Sequence, residues 1–227
     1  MIYLILGILL LVLILGPQYW ASHVLKKYST EREDIPGTGA ELVKHLRKKF
    51  GLSDLSIEAT DRGDHYDPTD RTVRLTMGNF GGKSLTAIAV AAHEFGHALQ
   101  HAKNYKPLTA RTRMVMTAQK LEKIGGIAII VLPFIAFTPG GARMAPFLVL
   151  AVVLSMLVNT FVHLITLPVE FDASFGRALP ILKEGQYINN TDYRAARKIL
   201  TACALTYLAS SLSGLLNFWR WIKLFRR

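Results

Sequence analysis

His93 and His97 stand four residues apart, with Glu94 between them, in the run Ala91-Ala-His-Glu-Phe-Gly-His-Ala-Leu-Gln-His101. On an α-helix, positions i and i+4 share a face and lie about 6 Å apart along the axis, so both imidazoles can reach one metal ion. Zinc takes such ligands, and a hydrolytic zinc site keeps one position open for water. Glu94, beside the first histidine, is placed to take a proton from that water and pass it to a leaving amine. The H-E-x-x-H spacing therefore predicts one zinc ion per chain, with His93 and His97 as ligands and Glu94 as the general base of a hydrolase.

Two histidines leave the ion short of one protein ligand. His101 repeats the four-residue spacing, but on an unbroken helix it sits about 12 Å beyond His93, too far to share the ion. Ala98-Leu99-Gln100 contains no glycine that would turn the chain. Glu170, in Leu167-Pro-Val-Glu-Phe-Asp-Ala-Ser174, is the better source, a carboxylate at the end of a long apolar run where folding alone does not require one. A purely structural zinc would need a fourth protein ligand, and no Cys or His is obviously placed to supply it. Peptide hydrolysis also calls for a donor to the developing oxyanion. His65, Tyr66, Asn79 and Arg177 are candidates by sequence neighbourhood, although His65 and Tyr66 can equally fix the turns around them.

The elements that must position these groups are legible in outline. Ser84 is an N-cap for a helix that carries the motif through Gln100, and Lys103 to Pro107 ends it. Thr38-Gly-Ala-Glu41 reads as a capping box opening an amphipathic helix to Phe50, closed by Gly51. Leu55 to Thr60 and Thr72 to Thr76 alternate as strands do, on either side of the turn-rich Asp61 to Asp70. A small sheet followed by the motif helix is the minimum scaffold of a zincin.

The bulk composition, 51% hydrophobic and only 19% charged over 227 residues with a mean hydropathy of +0.27, predicts a membrane protein. Residues 1–22 read as an N-terminal transmembrane anchor, 23–123 as a cytoplasmic zincin-like part with the motif helix, and 124–169 as a transmembrane helical hairpin. Residues 170–198 read as the segment carrying the third ligand, and 199–227 as a C-terminal apolar helix with a basic, aromatic tail. The expected fold class is thus a mainly α membrane protein, with transmembrane helices plus a small zincin-like α+β cytoplasmic domain. Lys and Arg crowd the stretch between the first two spans, whereas Thr138 to Pro146 holds only Arg143. That bias predicts a multi-pass protein of the cell membrane whose active site faces the cytoplasm. It also accounts for the formal charge of +11 without a nucleic-acid partner. The single cysteine, Cys203, excludes an intramolecular disulfide and fits a reducing compartment.

Across nearly its whole length the chain resembles the bacterial neutral zinc metallopeptidases of the YugP-type membrane protease family. The resemblance rests on the apolar N-terminus, Asp64-His-Tyr-Asp-Pro68, the stretch Ala91 to His101, and Leu167 to Ser174. That family is similar in layout to the HtpX-like and CAAX-prenyl membrane proteases. The resemblance implies that His93, His97 and Glu170 bind zinc, that Glu94 is the base, and that the substrate is a protein or peptide, including membrane proteins. The HtpX-like pattern places an Asp four residues after the ligand Glu, where it supports a zinc histidine. Here that position is Ser174, with Asp172 two residues away, so support of the histidines is open between them. The expected function is a membrane-anchored zinc endopeptidase. The alternatives are a site-2-type intramembrane protease and a non-catalytic membrane scaffold with a structural zinc.

Overall fold

The computed structural model describes residues 2–136 and 138–206. The elements come in the order α1 (Ile2–Lys27), α2 (Gly39–Lys49), β1 (Ser56–Thr60), β2 (His65–Asp67), β3 (Thr72–Thr76), α3 (Met77–Phe80), α4 (Leu85–Ala102), α5 (Lys106–Ala136) and α6 (Gly141–Phe171). A π-helical segment, Asp172–Ala178, continues α6 and leads into α7 (Leu179–Glu184) and a short 3-10 turn, Asn190–Asp192. Residues 193–206 are helical again and are called α8.

Everything is arranged around α4. Each of its residues from Leu85 to Gln100 is buried. Its start is fixed by the Ser84 hydroxyl, which accepts from the Ala87 N–H, and by Thr86, whose N–H and hydroxyl donate to the Tyr28 and Leu25 carbonyls at the end of α1. The capping box of α2 forms as read from sequence, with Thr38 and Glu41 satisfying each other's backbone N–H. Gly51, at φ +68°, closes that helix in the left-handed region. Leu42, Val43 and Leu46 of α2, Val73 and Leu75 of β3, Phe95 of α4, Leu182 of α7 and Ile199 and Leu200 of α8 belong to one apolar cluster.

The two expected strands are present and pair directly, and a third, between them in the chain, lies at the sheet edge. The sheet order is β1-β3-β2, with β1 parallel to β3 (Ile57 opposite Val73) and β2 antiparallel to it (Tyr66 opposite Val73). Asp64 ties the turn-rich segment to the end of β3. One carboxylate oxygen accepts from the Thr76 N–H and hydroxyl, and the other accepts from the Asn79 amide.

The membrane expectation is corrected here. Among the described residues no helix is long and apolar enough to cross a membrane. In α1 the unbroken apolar run Ile2 to Leu15 ends at Gly16-Pro17-Gln18, after about 21 Å of helix against roughly 30 Å of hydrocarbon. In α5 the first half carries Arg111, Arg113, Lys120, Glu122 and Lys123, and in α6 Ser155, Asn159, His163 and Thr166 interrupt the apolar sequence. The multi-pass cell-membrane localisation and the cytoplasmic orientation fall with the spans, as does the charge-bias account of the basic composition. In place of a spanning pair, α5 and α6 form a long helical hairpin in which Gly125 packs directly on Ser155. Ile127, Ile130, Phe134 and Phe147 are exposed on it. The last part of the expected C-terminal apolar helix and its basic tail lie outside the described residues.

Candidate metal centre

The helical spacing of His93 and His97 does what it must. The rings lie with centroids 4.8 Å apart and nearly perpendicular, and both side chains are buried. Glu170, in the last turn of α6 and fully buried, meets them from the opposite side. Its Oε2 lies 3.1 Å from His97 Nε2 and 3.3 Å from His93 Nε2. One donor atom from each of the three residues falls within 4.8 Å of the others, the only such set among the described residues.

The close approach of the two elements depends on Gly96, inside the motif. A side-chain carbon there would come within 2.7 Å of the Ala173 carbonyl oxygen, so only glycine lets the π segment lie against α4. The i→i+5 bonding of that segment is a common device at functional sites. It carries Ser174 to His93: the hydroxyl lies 3.0 Å from His93 Nδ1 and 3.0 Å from the Leu200 carbonyl of α8. Asp172, two residues earlier, reaches neither histidine. It accepts from Gln100 and from Arg177, and Gln100 in turn contacts His97 Nδ1 at 2.9 Å. Direct support of the histidines therefore comes from Ser174 and Gln100, with Asp172 one step further out.

These contacts decide what the site can hold. Gln100 gives both amide hydrogens to acceptors, the Val169 carbonyl and the Asp172 carboxylate. Its oxygen then accepts from His97 Nδ1–H, which leaves Nε2 as the ring nitrogen turned toward Glu170. Nε2 faces the Glu170 carboxylate at 3.1 Å, as an N–H donor when the ring is protonated and with room for a cation between them when it is neutral. The second oxygen of Glu170 is buried without a hydrogen bond, and the Arg111 guanidinium lies 3.6 Å from it. Two imidazoles and a carboxylate, buried and convergent, are a donor set that suits zinc, and three protein donors leave a fourth position for water.

The electrostatics agree with that geometry. Burial pushes the Glu94 carboxyl up, and the charges of Glu170 and Asp64 add to the effect, against the opposing pull of the two histidines. Burial would also raise Glu170, but the charge and hydrogen bonds of His97 and His93 hold it well below the usual carboxylate range. For His97, burial favours the neutral ring, and the facing Glu170 outweighs it and raises the pKa.

The remaining candidates lie elsewhere. The Tyr66 hydroxyl is 2.7 Å from His101 Nδ1, at the wall of a cavity of about 320 Å³ also lined by Asp54, Arg71 and Asn104. His65 is held to the Gly63 carbonyl, Asn79 to Asp64, and Arg177 to Asp172. Gly96, Gln100 and Arg111 had no signal in the sequence beyond their nearness to the motif.

The family described as "Putative neutral zinc metallopeptidase" matches residues 3–226. The "Putative membrane protease YugP" of Bacillus subtilis (strain 168) is 36% identical over 226 residues, covering 96% of each chain. No solved structure matches.

Proposed function

Since this chain belongs to the neutral zinc metallopeptidase family, we propose that it is a zinc-dependent endopeptidase in which His93, His97 and Glu170 hold the ion and Glu94 is the general base. The observation that carries this reading is the convergence of three buried donors from α4 and α6 beside a carboxylate whose pKa burial has raised. When bound, the zinc supplies Lewis-acid polarisation of the scissile carbonyl and acidifies water.

The chain's own residues do the rest. Glu94 takes the proton of the attacking water and delivers it to the departing amine nitrogen, a task suited to a carboxyl shifted toward neutrality. Gln100 and Ser174 orient the two rings. Arg111 sets a positive charge against the outer oxygen of Glu170, which leaves Oε2 turned toward the histidines. Three donors rather than four among the described residues favour this reading over a closed structural site.

The test is Glu94→Gln, which keeps the shape of the side chain and removes the base. Cleavage of a casein-like substrate should fall roughly 10²–10⁴-fold, with zinc per chain unchanged. Activity within tenfold of the parent would remove Glu94 from this role.

A further inference from the structure

We propose that Gln100 is a positioning residue that sets which nitrogen of His97 is offered to the metal and, through the same amide, fixes the distance between the ligands of α4 and α6. The inference rests on the zinc-site reading above and deepens it.

The amide is fully committed. Its nitrogen lies 2.8 Å from the Val169 carbonyl and 2.8 Å from Asp172 Oδ2, and its oxygen lies 2.9 Å from His97 Nδ1. Turning it over would set its oxygen against two acceptors and its nitrogen against the ring, losing two hydrogen bonds at a fully buried position. The proton of His97 is thereby pinned to Nδ1 whether or not a metal is present. Val169 and Asp172 flank Glu170 in sequence, so the group that orients one ligand also grips the backbone on which another is mounted. Arg177 closes the chain by donating to the same oxygen of Asp172 at 2.7 Å.

The acceptors are also unusual in charge. A carboxylate behind a zinc histidine makes the ring a stronger donor. Here the groups touching Nδ1 are a neutral amide oxygen and a neutral hydroxyl, and the carboxylate of Asp172 stands one residue back. Ser174 holds His93 in the same sense, because its one hydroxyl proton goes to the Leu200 carbonyl and its oxygen is left to accept from His93 Nδ1–H.

The two histidines serve as controls for each other. In protein labelled with nitrogen-15 at histidine, the Nδ1–H of His97 should be visible and slow to exchange, both zinc-free and zinc-loaded. In Gln100→Met that proton should lose at least tenfold in protection while the His93 ring is unchanged, and zinc affinity should fall about 10–100-fold. Ser174→Ala should do the reverse, disturbing His93 and sparing His97. The proposal is overturned if Gln100→Met leaves the His97 proton protected and zinc affinity within threefold. It is overturned equally if Ser174→Ala disturbs both rings alike. A parent protein that takes up no zinc would instead sink the metal reading, while the zinc-free exchange measurement still decides the role of Gln100.

Discussion

At His101 the ring Nδ1 meets the Tyr66 hydroxyl at 2.7 Å, one helical turn beyond His97 and outside the metal-binding set. Burial and the neighbouring Arg71 lower its pKa, and burial with Asp67 and Asp70 pushes the Tyr66 phenol up to about 12. The folded state therefore favours a neutral ring accepting from a protonated phenol. The unfolded chain binds the proton first, so this contribution is fully present above pH ~6.5 and is lost as pH falls through the lower folded value. His101→Asn should flatten that part of the stability-versus-pH curve, read as Tm against pH beside the parent. It should leave zinc per chain unchanged, whereas Glu170→Ala should empty the site after dialysis against a mild chelator. If His101→Asn empties the site as well, the separation of the two roles is wrong. At this scale the sequence was informative where placement follows from local spacing, as for His93 and His97, which one helix face brings together. It was silent where the role is tertiary. Gln100 reads as an ordinary polar residue on an Ala-rich helix until Val169 and Asp172 arrive from 69 and 72 residues away.

The caps of α2 and α4 and the strands β1 and β3 were legible at the scale of elements, because capping hydroxyls and alternating β-branched residues act over a few positions. The third strand was not, because His65 to Asp67 lie among turn formers and pair only through β3. Nor was the π segment, which no local pattern announces. Its seating on α4 turns on one missing side chain. Gly96→Ala should force the Ala173 carbonyl outward and cost about 1–3 kcal/mol by overpacking. Because Glu170 and Ser174 flank that contact, zinc affinity should fall with stability. A variant that loses stability and keeps full affinity would show that the segment yields without moving the site.

The apolar core takes in α1, α2, the sheet, α4, α7 and α8, and the cysteine of α8 reports on its closure. Cys203 is buried, and burial with the charges of Glu94, Asp64 and Glu170 pushes its thiol well up. Thiolate is the reactive form, so a thiol reagent should modify Cys203 only when α8 opens. Zinc binds the closed form and should slow modification in proportion to its occupancy excess, an effect that Glu170→Ala should abolish. Rapid modification of the native protein, indifferent to zinc, would show that α8 does not hold the site shut. Composition misled most at this scale. Apolar content counts residues without saying whether their runs are unbroken, and here prolines, hydroxyls and charges interrupt them.

The Ser174 hydroxyl, wedged between His93 and a carbonyl of α8, also puts the site on a clock. Glu170 follows His97 by 73 residues and Leu200 follows Ser174 by 26, so a ribosome adding about 5–20 residues per second delivers the third donor roughly 4–15 s after the second. A nascent chain thus carries its motif helix through 73 residues of further synthesis before the third donor of the proposed site is made. Stalled chains ending before Glu170 should let zinc exchange freely, and those extending past Leu200 should retain it.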